Sequence, residues 1–152
     1  EFYKQLISSL EKFTSLYFTL QKFNDTHYRQ NELEKYVDLT VAYESMIPGA
    51  SELRYRFITI HSILSEPSPE NRLEAYCLLD ALYNARSGIV HGDIDGKERK
   101  KDIAKVRDNY RLLYIKLRSV LFYYITFLSS TRKDGWKKHL TGLAIGSETR
   151  KF

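Results

Sequence analysis

Apolar residues recur three and four positions apart along most of this chain, the spacing of one face of an α-helix. The first run covers Phe2 to Phe23, with apolar residues at 2, 6, 10, 13, 16, 17 and 20. Asn24-Asp25-Thr26 is predicted to break it. A second pattern spans about Arg29 to Ile47, carried by Leu33, Tyr36, Val37, Thr40, Val41 and Glu44, and Pro48-Gly49 is placed to end it. A third runs from about Ser51, a candidate cap, to Leu64. After the loop Ser65 to Pro69, Pro69 is positioned to open a fourth helix, where its missing amide is no loss. That helix extends to about Val90. Leu73, Tyr76, Cys77, Leu79, Asp80, Tyr83 and Arg86 mark one broad side of it, and Gly92 supplies a C-terminal stop. The fifth helix is long, about Lys97 to Ser129. Its β-branched and aromatic content suits a strand, but its length and the spacing of Val106, Tyr110, Leu113, Leu117, Val120 and Tyr124 point to a helix. From Thr131 the chain is basic and less patterned, with one short helix expected at Trp136 to Leu140. No internal repeat is visible. The expectation is an all-α antiparallel bundle of about five helices over residues 1–130, followed by a basic extension, 131–152.

Composition agrees with one globular unit. The 152 residues, 43% hydrophobic and 28% charged, suffice for a real core. The 12 tyrosines suit half-buried faces and interfaces, where the ring packs and the hydroxyl stays wet. Cys77 is the only cysteine, so there is no intrachain disulfide. It reads as a small buried hydrophobe, and its isolation fits a reducing cytoplasm. The chain opens on Glu1, which reads as a fragment or processed chain. The most apolar run, Val120 to Leu128, falls short of the roughly 20 residues that span a bilayer, so no membrane segment is expected. Charge is segregated. Residues 1–96 carry 9 basic and 14 acidic side chains, whereas residues 97–130 carry 9 basic and 3 acidic. Such a basic stretch suits a polyanion, although a solvated helix face has the same composition.

Most chemical motifs are absent: no Walker loop, no GxGxxG, no HExxH and no CxxC. No cofactor or metal is expected, because His27, His61, His91 and His139 are widely separated. Three of them read as ordinary surface or boundary residues. His91 differs, since it ends the fourth helix, where the macrodipole favours a protonated imidazole. Arg86 lies five residues earlier. Five helical steps rotate by about 140° and rise by about 7.5 Å, so the two do not share a face. A long arginine and a last turn that unwinds at glycine still let the two heads converge. Gly88, inside that turn, costs about 1 kcal/mol relative to alanine and lets another backbone or a strand of substrate approach. Arg plus His is a minimal kit for cutting RNA. The guanidinium holds a phosphate and the imidazole moves a proton. RNA brings its own nucleophile, the 2′-hydroxyl.

The wider segment, Leu82 to Gly92, resembles the signature of the HEPN superfamily, above all its Apea-like branch, in which Tyr-x-x-Arg-Ser-x-x-Val-His-Gly ends a helix. Tyr83, Arg86, Ser87, Val90, His91 and Gly92 match in register. Leu39 to Ile47 is similar to the family's earlier helix, with Glu44 before the hydrophobic end. Arg54 and Arg56 then follow in the family's order, and the likeness covers about residues 29–130. It implies a HEPN-like bundle that forms a homodimer through its motif helices, with RNA as partner and no membrane. It further implies a metal-independent endoribonuclease of a defence, toxin or RNA-processing system. Arg86 and His91 would be catalytic. Tyr83, Asn84 and Ser87 would line the RNA groove, although core packing is the simpler role for Tyr83. Lys97, Arg99, Lys100 and Lys101 would meet flanking phosphates, with a solvated helix start as the alternative. Ser87 departs from the Asn, Asp or His that often follows the arginine in ribonuclease members. Some members keep the fold without catalysis, so a non-catalytic dimerisation or RNA-binding module is the alternative reading.

Overall fold

A computed structural model describes residues 3, 4, 6, 7, 10, 14–49, 51–130 and 133–148. Among them lie six helices and no strand: α1 Thr14–Tyr28, α2 Glu32–Ser45, α3 Leu53–Ser65, α4 Pro69–His91, α5 Lys97–Ser130 and α6 Lys133–Ala144. Residues 3, 4, 6, 7 and 10 are helical as well, while Phe2, Phe13 and Thr131 lie outside the described residues. The chain is an all-α bundle, as its periodicity predicts.

Local chemistry explains most boundaries. Asn31 caps α2, its side chain accepting from the Leu33 amide at 2.8 Å, and Glu32 and Glu34 complement the positive end of the helix. Pro69 occupies the first turn of α4. Gly92 ends that helix in the left-handed region, φ 73°, where the Gly92 amide donates to the Ile89 carbonyl and the Asp93 amide to that of Gly88. Two expected boundaries differ. Asn24-Asp25-Thr26 does not break α1, because the Asp25 and Thr26 side chains are satisfied along the helix. The Thr26 hydroxyl donates to the Phe23 carbonyl at 2.7 Å, and Asp25 pairs with Lys22 at 3.2 Å. Ser51 is not the cap of α3. Glu52 takes that position at φ 52°, a strained geometry for a residue with a side chain.

The core draws on every helix: Leu16 of α1, Leu39 and Tyr43 of α2, Phe57 and Leu64 of α3, Leu79 and Leu82 of α4, and Trp136 of α6 surround Val106, Leu113, Leu117 and Val120 of α5. α1 packs chiefly on α2, and α4 on α5, α3 and α2. Two buried hydrogen bonds tie distant segments. The Tyr43 hydroxyl donates to the Leu113 carbonyl at 2.8 Å, and Trp136 Nε1 donates to the Met46 carbonyl at 2.7 Å. α6 is longer than the short helix expected within the basic tail, and Leu140 and Leu143 are buried in the common core with Trp136.

Burial departs from the sequence reading at several residues. Cys77 is exposed rather than buried. His61 and His139, expected at the surface or its boundary, are buried. His61 Nε2 donates to the Tyr43 carbonyl at 2.8 Å, an acceptor in the last turn of α2, and burial pushes its pKa down to about 3. His139 is held between the Tyr123 hydroxyl, at 2.7 Å, and Glu148. On α4 the core face is Ala75, Leu78, Leu79, Leu82 and Ala85, so Leu73, Tyr76 and Cys77 are left outside. A stretch of α5 is apolar enough, and the helix long enough, to cross a membrane by length and composition, and 44% of that stretch is buried within the bundle.

Candidate functional site

The end of α4 and the loop to α5 hold the residues that the sequence singles out. Arg86 is half-buried and turns toward α2, where its Nη2 lies 3.6 Å from Oε2 of Glu44. The side chains are 27% and 13% exposed, so this ion pair is largely shielded from water. It is also incomplete, because Arg86 Nε and Glu44 Oε1 are buried without a hydrogen-bond partner among the described residues. Unmet groups of this kind cost about 1–3 kcal/mol each. Burial pushes the Glu44 carboxyl up, and the Arg86 charge opposes that shift. The pair thus holds a positive group in place, with its Nε donor buried and unmet. Sequence reasoning placed Glu44 in the helical pattern of α2 and in the resemblance, but did not pair it with Arg86. The signal for more was a carboxylate on the inward period of α2, one turn after Thr40 and Val41.

His91 is the last residue of α4 and is exposed. No hydrogen bond or ion pair joins it to Arg86. The two groups expected to converge make no direct hydrogen bond with each other. Arg86 is held against α2 while His91 faces solvent. Ser87 is half-buried between them.

The loop after His91 closes back on the helix. A Cβ at Gly88 would sit 2.7 Å from the Asp93 carbonyl oxygen and 3.0 Å from Arg99 Cδ. The close approach anticipated at Gly88 is made by the chain's own backbone. Arg99 Nη1 donates to the Asn84 carbonyl at 3.0 Å, and its Nε is 3.6 Å from Asp93. Arg99 is thereby a strut between α4 and α5. Burial raises the Asp102 carboxyl, assisted by nearby Asp80, whereas Arg99 and the Asn84 side chain act against this. Lys100 pairs with Asp95 at 3.5 Å and Lys101 with Glu98 at 2.8 Å, both open to solvent. Pairs this exposed are weak and readily exchanged for phosphate. Lys97 is exposed and has no acidic partner among the described residues.

Tyr83 packs on Phe57, ring centres 5.3 Å apart, as the simpler reading had it. Its outer side joins Arg54, Tyr55 and Tyr76 around an open cleft of about 690 Å³ between the start of α3 and the middle of α4. Arg54 bridges to Asp80 at 2.6 Å across that gap. Beyond the cleft, α4 leaves apolar residues uncovered at both ends, Leu73 (72% exposed) with Tyr76 and Cys77 near its start and Val90 (53% exposed) in its last turn. Among the described residues no group of three His, Cys, Asp or Glu side chains is placed to hold a metal ion. In comparisons with known proteins, no family model, no curated protein and no solved structure matches this chain.

Proposed function

We propose that the chain is a HEPN-type, metal-independent endoribonuclease domain that works as a homodimer paired along α4. What carries this reading is the arrangement on that one helix. Arg86 and His91 both sit in the last turns of α4, and the helix that bears them leaves Leu73, Tyr76 and Val90 uncovered. A second copy laid against α4 covers these residues and brings another Arg86 and His91 to the same groove.

The chemistry then follows from the groups. The 2′-oxygen of RNA attacks the adjacent phosphorus and gives up its proton, a new P–O2′ bond forms, and the P–O5′ bond breaks. The products are a 2′,3′-cyclic phosphate and a 5′-hydroxyl that takes up a proton. His91, open to solvent at a helix C-terminus, is suited to carry protons in these steps. Arg86, steadied by Glu44, stabilises the charge that builds on the phosphorane. Purified chain should cut mixed RNA in the presence of a chelator, leaving cyclic ends. His91→Ala should lower the rate by about 10²-fold or more. Equal cutting by His91→Ala would assign the chemistry elsewhere.

One observation favours the non-catalytic module instead: Arg86 is already engaged by Glu44. In that case RNA binds, or the chain dimerises, and no cyclic ends accumulate at any enzyme concentration.

A further inference from the structure

A second cleft lies on other elements, between α1, α2 and the middle of α5. It encloses about 260 Å³ and is lined by Thr26, His27, Lys35, Tyr110, Arg111 and Tyr114. Its wall is aromatic and held in place. Tyr114 stacks on Phe23 with centres 4.7 Å apart, and the His27 ring stands edge-on to Tyr114 at 5.2 Å. His27 Nε2 and the Tyr114 hydroxyl share a 2.5 Å hydrogen bond.

Its charge is unbalanced, for a specific reason. Most carboxylates of this region are already taken by other cations, while Asp108, one turn before Arg111, has no ion-pair partner among the described residues. Asp25 and Asp38 hold Lys22, Asp38 and Glu34 hold Arg29, and Glu32 holds Arg107. Lys35 and Arg111 therefore face the cleft with no ion-pair or hydrogen-bond partner among the described residues, although Lys35 is half-buried. Arg118 lies near enough to Tyr114 to oppose the rise that burial causes in its hydroxyl pKa. Spare cations beside ordered rings match a ligand that is at once anionic and flat.

We infer that this cleft binds one nucleotide unit, with the phosphate between Lys35 and Arg111 and the base against the His27 and Tyr114 rings. A bare anion makes no use of the rings, and an acidic peptide brings no flat surface. Stacking plus a cationic track is the usual way to hold a single strand without reading its sequence. Arg111 lies twelve residues beyond Arg99 on one continuous helix, about 18 Å along its axis and about 120° around it. As a strand subsite the cleft deepens the ribonuclease reading and rests on it; as a site for a free nucleotide it does not.

The test uses the full chain titrated with uridine 5′-monophosphate, with a short oligodeoxyuridylate that lacks the attacking 2′-hydroxyl, and with inorganic phosphate. Calorimetry reports affinity and the imidazole resonance of His27 reports place. Uridine monophosphate or the oligomer should shift that resonance, and Lys35→Gln with Arg111→Gln should weaken binding about tenfold or more, the loss expected for charged hydrogen bonds to phosphate. Far-UV circular dichroism of the double variant should be unchanged, since both side chains lack partners. Tighter binding of the oligomer identifies a strand subsite; equal binding identifies a free nucleotide. No shift at His27 with either ligand, affinity untouched in the double variant, or inorganic phosphate binding as well as uridine monophosphate would each overturn the inference. Loss of RNA cutting in His91→Ala is read separately, so either proposal can fail while the other stands.

Discussion

Buried ionisable groups set the properties of this protein that single residues control. His61 is enclosed among Tyr43, Phe57 and its own helix, and its pKa falls from 6.5 to about 3. The unfolded chain therefore takes up this proton first as pH falls. The stability that neutral His61 contributes is complete above about pH 6.5 and is lost progressively toward pH 3. His61→Gln keeps a donor for the Tyr43 carbonyl and removes the titration. Melting temperatures of the variant should depend less on pH between 7 and 4 than those of wild type, and parallel curves would discharge His61 from this role. The Arg86–Glu44 contact has a different signature. Glu44→Ala leaves Arg86 without its counter-charge and should cost about 1–3 kcal/mol in urea denaturation. Glu44→Gln should cost less, because an amide oxygen still faces the guanidinium.

Helix α4 shows how one element serves two surfaces. Its small residues, Ala75, Ala81 and Ala85, let it approach the core closely, while Leu73, Tyr76 and Val90 face outward. If the outer side of α4 is the seam of a dimer, Leu73→Glu should shift the chain to monomer in light scattering without loss of helicity. A variant that stays dimeric would place the seam elsewhere. The end of the helix is equally specific. Gly92→Ala forces a side chain into φ 73° and should cost about 1 kcal/mol. Gly88→Ala should cost more, because its Cβ meets the Asp93 backbone oxygen and something must move. Equal losses at the two glycines would show that the loop over Gly88 yields easily.

At the scale of the molecule, charge is the feature that reaches farthest. The start of α5 carries Lys97, Lys100 and Lys101, and the carboxylates beside the last two are mostly exposed, whereas Arg99 is held by the Asn84 carbonyl. RNA phosphates replace such partners at little cost, so affinity should fall steeply as salt rises, through release of counterions. Lys100→Glu with Lys101→Glu should weaken binding to all sequences alike. Binding by this variant that matches wild type in filter or anisotropy assays would remove the patch from the RNA surface.

The residues along the chain determined by themselves what depends on near neighbours: the helical period, the proline that opens α4, the glycine that closes it, and the inward register of Val106, Leu113, Leu117 and Val120. The string from Tyr83 to Gly92 was legible for the same reason, being contiguous. Only the tertiary structure decided which side of α4 faces inward, because that helix is apolar on two sides and the choice rests on how closely α2, α3 and α5 approach its alanines. It decided that Thr26 continues a helix, that Cys77 is outside, and that His61 and His139 are inside. It also set Glu44 against Arg86 and Lys35 beside Arg111, pairs far apart in the chain. Such placements arise from packing between elements, where burial and unmet hydrogen bonds are shared by residues that local spacing does not connect.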